Sequence, residues 1–348
     1  MPVLNSIDGV PLESPFTLAA LSGYSDVGMR VTCRALGASL TRNEVVLDKF
    51  VLDRGKGAKN GRHLHPDDRP VAAQLMGAEP GTMGEAAALM EEFGYDLVDI
   101  NFGCPVKKVL GRCRGGYLLG DPETAIEMMK RVRGAVTTPV TIKMRIGRDE
   151  TVESEENFWR ILDAGVAIGI GGVVIHGRTV AQRYEGFAKW DRIAAAKAKY
   201  PDLVVMGSGD LFSADDCLRM LAETGADGVT IARGAIANPW IFGECLALAR
   251  GEPLPEPPTL AEQGDLMDWQ FALATEQYGE ERAGRQMRKF GIKRAALHPM
   301  KDEVHASFIK LTTNAEWRAV RARYYSSHEP GVRPAPEVAA ACEEGCGV

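Results

Sequence analysis

Eight short apolar runs, each followed by a helix-forming stretch or a turn, constrain this 348-residue chain more than any other feature. The pattern predicts strands over residues 15–20, 38–41, 71–77, 97–101, 139–145, 172–176, 203–210 and 228–234. Helices are predicted over 82–93, 122–136, 155–165, 190–200 and 214–224. Near-continuous apolar runs are what a parallel sheet needs, because helices cover both of its faces. Repetition of this unit points to an α/β fold, a (β/α)8 TIM barrel, which takes roughly 250 residues. An open doubly wound sheet fits less well, since no Gly-x-Gly-x-x-Gly follows the first run. The polar interruptions add an independent argument. Gln74, Asn101, Lys143, His176, Ser208 and Arg233 each fall within or just beyond the C-terminal end of a different run. In a barrel those ends converge on one mouth, where active sites are built.

The run at 97–101 empties into Phe102-Gly103-Cys104-Pro105, then Lys107, Lys108, Arg112 and Arg114-Gly115-Gly116. Cys104 has three readings: a small buried apolar residue, a nucleophile with a depressed pKa and a paired base, or a proton donor. The last needs a thiol still protonated near neutrality, which an ordinary pKa of about 8.5 permits. Spacing alone does not choose among them. Gly207-Ser208-Gly209-Asp210 and Ala232-Arg233-Gly234-Ala235 lie where the seventh and eighth loops of a barrel hold phosphate. Lys143, at the end of an otherwise apolar strand, is costly to bury without an anionic partner.

Asn101-Phe102-Gly103-Cys104-Pro105 with Lys107-Lys108 and the glycine turn resembles the signature of the tRNA-dihydrouridine synthases, which reduce a uracil in RNA with a flavin. The resemblance runs over residues 15–245. It implies a barrel holding FMN, NADPH as reductant, and Cys104 as the acid that protonates C5 while hydride reaches C6. It places Ala20, Leu21, Ser22, Gln74, Lys143, His176, Ser208, Gly209, Asp210, Ala232 and Arg233 around the cofactor. Asn101 would hold the uracil edge, with Lys143, His176 and Arg178 nearby, and Asp99 reads as a buried structural carboxylate. The family usually carries Pro-Met-Ala at 20–22, Asn at 208 and Gly at 232. Those positions act mostly through backbone atoms, so FMN is still expected. Cys113 has no counterpart in the motif and is assigned no role.

Residues 251–259 form a Pro-rich linker, dividing a barrel at 1–250 from a small helical bundle at 260–328. The bundle is predicted to hold helices at 261–278, 280–297 and 315–324, with a flexible tail at 329–348. The net charge is −6, yet residues 282–323 carry eleven Lys and Arg against three acids. In the resembling family this region cradles tRNA. Arg285, Arg288, Lys289, Lys293 and Arg294 recur at helical spacing as one basic face, which Lys107 and Lys108 extend to the mouth. Seven scattered cysteines suit a reducing cytoplasm. Cys342 and Cys346 have no His beside them, so no metal site is expected. Neither a signal peptide nor a bilayer-spanning run is apparent, and no protein partner is implied. Three other readings remain at this stage. They are an FMN barrel acting on a small pyrimidine or enone, a dihydrouridine synthase of ribosomal RNA, and a non-catalytic RNA-binding barrel.

Overall fold

The computed structural model describes residues 4–53 and 63–334. A hairpin of β1 (Ser6–Ile7) and β2 (Val10–Pro11) precedes a parallel barrel. Its strands are β3 (Phe16–Leu18), β4 (Thr41–Arg42), β5 (Val46–Leu47), β6 (Val71–Met76), β7 (Leu97–Phe102), β8 (Val140–Arg145), β9 (Gly172–His176), β10 (Val204–Ser208) and β11 (Gly228–Ile231). Neighbours run β3-β11-β10-β9-β8-β7-β6-β4. Two backbone bonds complete the ring: Leu18 N–H donates to Leu40 O, and Ser39 N–H to Phe16 O, both at 2.9 Å.

The strands are buried on both faces and mostly apolar, with Thr17, Arg42, Asp99, Thr141 and Thr230 among the buried polar exceptions. In β7 every residue is buried except Asn101, which opens onto the mouth. Ile100 and Phe102 are fully enclosed, and each contributes roughly 2–3 kcal/mol of transfer free energy. The hairpin closes the opposite end, where Leu4, Ile7 and Leu12 pack on Leu40, Ala72, Leu97, Val174 and Met206.

The outer helices are α1 (Val27–Ala35), α2 (Asp48–Leu52), α3 (Pro80–Glu92), α4 (Lys107–Leu110), α5 (Pro122–Ala135), α6 (Val152–Ile168), α7 (Asp191–Lys199), α8 (Ala214–Thr224), α9 (Arg233–Ala237) and α10 (Ile241–Ala249). After the Pro-rich stretch, Thr259 and Glu262 form a capping box that starts α11 (Leu260–Tyr278). Then come α12 (Glu280–Arg294), α13 (Lys301–Ile309) and α14 (Asn314–Tyr324). This helical region shares one apolar core with the barrel. Tyr24 meets Phe290 edge to face at 5.4 Å. Val27 N–H donates to Gln277 Oε1, and Gln286 Nε2 donates to Asp26 Oδ2, both at 3.2 Å.

Four expectations need correction. The second strand lies not at 38–41 but at Thr41–Arg42 and Val46–Leu47. Arg42 pairs with Ala72 while Val46 pairs with Leu75, so one extra residue bulges toward the mouth. The eighth strand stops at Ile231 because Arg233 already opens α9. Helices α10 and α13 were not anticipated; α10 is apolar on most sides and shows little helical period. The segment from 327 to 332 is no loose tail. Ala261 N–H donates to Ser327 O at 2.8 Å, Gly331 N–H to Pro258 O at 3.0 Å and Val332 N–H to Leu297 O at 2.8 Å. The rest of the expected tail, with Cys342 and Cys346, lies outside the described residues. Among the described residues no helix is long and apolar enough to cross a membrane.

Candidate active site

A cavity of about 350 Å³ opens at the C-terminal ends of the strands. It is lined by every residue expected around a flavin: Ala20, Leu21, Ser22, Gln74, Lys143, His176, Ser208, Gly209, Asp210, Ala232 and Arg233. Cys104, Asn101 and Lys289 line it too.

A polar chain rises through the barrel to the Cys104 loop. Buried Asp99 accepts from Thr141 Oγ1 and Gln74 Nε2, both at 2.6 Å, with Arg42 Nε 3.6 Å away. Gln74 Oε1 accepts from Asn101 Nδ2 at 2.8 Å. Asn101 Oδ1 in turn accepts from the backbone N–H groups of Gly103 and Cys104, each at 3.0 Å. Asn101 therefore spends its carbonyl and one N–H on positioning the loop, and one N–H remains for a ligand. On the far side Gly116 N–H donates to Cys104 O at 3.0 Å. Gly115 sits at φ +58°, and a Cβ there would meet Cys104 Cβ at 2.9 Å, so this contact requires glycine.

Arg145 clamps the same loop. Its Nε donates to Gly103 O at 2.9 Å, and its Nη1 reaches Thr179 O and Arg183 O at 2.9 and 2.7 Å. Its guanidinium lies 5.5 Å from the centre of the Tyr184 ring, and the Arg233 guanidinium lies 4.7 Å from the centre of the same ring. Neither Arg145 nor Tyr184 was singled out from sequence. Arg145 was findable, since period two puts it on the strand face of Lys143.

Burial sets the electrostatics. It pushes the Cys104 thiol above its ordinary pKa, against the opposing pull of the Val106 N–H and Arg145, so the thiol is protonated at neutral pH. Burial, with Arg145 and Arg42 nearby, lowers Lys143 to about 7. Burial and the cations Arg145, Lys143, Arg178 and Arg233 hold His176 neutral. A cavity this rich in cations is matched to an anionic ligand.

The other expected substrate contacts separate. Arg178 is buried beneath the cavity rather than lining it: its Nη2 lies 2.8 Å from Asp210 Oδ1 and also bonds Gly186 O. Asp210 further accepts from Ala188 N–H at 2.7 Å, which holds its φ of +58° and anchors the loop after β9. Lys107 and Lys108 are exposed on the rim. The predicted basic face of α12 is not one face. Arg285 is exposed and paired with Glu281 at 3.1 Å, and Arg288 is exposed with a bond to Ile309 O. Lys289 turns into the mouth, bonds Gly23 O and sits 5.1 Å from the Tyr24 ring. Arg294 is buried against Phe290 at 5.3 Å. Cys113 is exposed at φ +53°. Among the described residues no cluster of His, Cys, Asp and Glu forms a metal site.

Residues 17–323 match the sequence model of the family described as Dihydrouridine synthase (Dus). The chain is similar to tRNA-dihydrouridine synthase B of Xanthomonas axonopodis pv. citri, 35% identical over 320 residues, covering 91% of this chain and 95% of that protein. It is 34% identical over 302 residues to a probable tRNA-dihydrouridine synthase of Mycobacterium tuberculosis, covering 81% and 75%. Among solved structures it resembles a 2-naphthoyl-CoA reductase, with TM-score 0.54, 13% identity and coverage of 71% of this chain and 52% of the other. It also resembles a histamine dehydrogenase from Rhizobium, with TM-score 0.55, 14% identity and coverage of 77% and 50%. The chain thus spans about half the length of the solved structures it matches, and at such identities the likeness is one of fold.

Proposed function

The chain belongs to the dihydrouridine synthase family, and from that premise we propose that it reduces the C5–C6 bond of a uridine in tRNA. FMN, held by the residues lining the cavity, would supply the hydride chemistry at C6, with NADPH as its reductant. The residues present fit that group. Lys143 is a cation that burial has driven to about 7, and an anionic ring edge or phosphate would restore its charge. Gly209 at φ +115° makes a cradle in which a Cβ would meet Ala188 Cβ at 2.7 Å and His176 Cδ2 at 2.8 Å. Arg233 and the backbone of Ser208–Asp210 suit a phosphate, and Ala20, Leu21 and Ser22 form a wall of the same cavity.

The observation that carries this reading is the largely buried Cys104 thiol, whose burial favours the protonated form, on a loop fixed from three sides. Asn101 holds its N–H, Gly116 its carbonyl, and Arg145 the preceding Gly103 carbonyl. A thiol held protonated serves as general acid toward C5 of the uracil, and it is the wrong form for a nucleophile. Asn101 keeps one N–H for a uracil carbonyl, and His176, held neutral, completes the polar lining together with the Lys143 amine. The target base must leave the RNA stack to reach this depth. The experiment is mass spectrometry for dihydrouridine in unmodified tRNA incubated with flavin-loaded protein and NADPH. Dihydrouridine at defined positions is expected. Its absence from tRNA, with a ribosomal RNA or a small enone reduced instead, would replace the substrate in this reading.

A further inference from the structure

Beside the main cavity lies a second recess of about 280 Å³, and Pro105 lines both, so the Cys104-Pro105 loop is their common wall. The recess is lined by Lys107, Arg148 and Arg183, which come from the loops after β7, β8 and β9. Several exposed cations elsewhere are paired with acids, as in Arg131–Glu127, Arg160–Glu123, Lys199–Asp163 and Arg323–Glu303, whereas others among the described residues, such as Lys108, Arg112 and Lys130, stand singly. Among the described residues no carboxylate lies within ion-pair distance of Lys107, Arg148 or Arg183. The one acid in the recess, Asp149, turns its Oδ1 to the N–H and Oγ1 of Thr151 at 3.1 and 2.6 Å. Arg148 is braced instead by the Tyr117 ring at 5.4 Å. Arg183 sits at φ +51° with its carbonyl held by Arg145, which fixes its backbone.

Three cations against one acid, whose Oδ1 is already engaged by Thr151, leave a net positive recess one loop-width from Cys104, suited to an anion. The loop that carries Arg183 also carries Phe187, which is 87% exposed. An apolar ring left in water on the loop that supplies Arg183 suits the stacking of a nucleotide base.

We propose that this recess seats a backbone phosphate of the RNA beside the reacting uridine. The inference rests on the reading of the main cavity as a uridine-reducing site in RNA. Gripping that phosphate holds the distorted backbone while the base occupies the cavity, and the discrimination lies in position rather than sequence. A phosphate of the pyridine nucleotide is the other source of the same chemistry.

The test uses the flavin-loaded double variant Arg148→Gln/Arg183→Gln with tRNA and with NADPH. The KM for tRNA is expected to rise on the order of tenfold, and the slope of log affinity against log salt to flatten by about one. A neutral methylphosphonate beside the target uridine should reproduce that loss in the unmutated protein and add nothing in the variant. Unchanged tRNA affinity and slope, in a protein that does make dihydrouridine, would overturn this inference alone. A rise confined to the KM for NADPH would overturn the RNA assignment. An unmutated protein that neither binds nor reduces RNA would overturn the function reading and this inference together.

Discussion

Helix α12 and the loops after β7, β8 and β9 both carry clusters of cations, and the fold treats the two clusters in opposite ways. On α12 five basic residues lie within ten positions, yet Arg285 is paired, Arg288 caps a carbonyl, Lys289 turns into the mouth and Arg294 is buried. On the loops Lys107, Arg148 and Arg183 are far apart in sequence yet line one recess, where Asp149 is the single acid beside them. Charge density along the chain is therefore a poor guide to charge available at the surface. What counts is whether each cation has already found an acid, a carbonyl or a ring.

Breaking this contrast begins with Lys289. Its ammonium bonds Gly23 O and lies by Tyr24, on the segment 20–24 that lines the cavity. Glu44 Oε2 accepts from Gly23 N–H at 2.9 Å on the other side. Lys289→Met is expected to weaken flavin retention by about tenfold through loss of this charge-assisted bond, read by fluorescence titration. A normal flavin affinity with a flattened RNA salt slope would return Lys289 to the exposed set. The α12 surface should give the smallest effect. Arg285→Ala with Arg288→Ala must first be credited with losing weak contacts, since an exposed pair such as Arg285–Glu281 contributes well under 1 kcal/mol. A loss of tRNA affinity of about two- to threefold is expected by filter binding, less than at the recess. A larger loss than Arg148→Gln/Arg183→Gln would invert the comparison.

The same contrast explains what the sequence could show. Strand-end positions follow a local rule: an apolar run that closes on Gln74, Lys143 or Ser208 puts that side chain at the mouth whatever surrounds it. Arg145 obeys the rule as well, two residues beyond Lys143 on the same face. Side chains whose fate depends on a distant partner are not legible this way. Arg178 looked like a substrate ligand because nothing in sequence shows Asp210, from the next loop, capturing it. The inward turn of Lys289 depends on how α12 packs against Tyr24 and Phe290. Arg148 and Arg183 come from separate loops, and only the barrel's curvature brings them to one recess. Asn101 lines the cavity, yet most of its hydrogen-bonding capacity supports the Cys104 loop.

The central claim is that the fold holds Cys104 as a protonated acid over the cavity. Its direct test is single-turnover reduction of tRNA uridine by the pre-reduced protein, comparing the unmutated form with Cys104→Ala across pH. Cys104→Ala should keep flavin and tRNA affinity while dihydrouridine formation falls by about 10²- to 10⁴-fold, the usual contribution of a positioned acid. Because burial raises the thiol pKa, the unmutated rate should stay level through neutrality. It should decline only above the ordinary cysteine value of about 8.5, as the proton is lost. A Cys104→Ala protein that reduces uridine at the full rate, or an unmutated rate that climbs as the thiol ionises, would contradict the account.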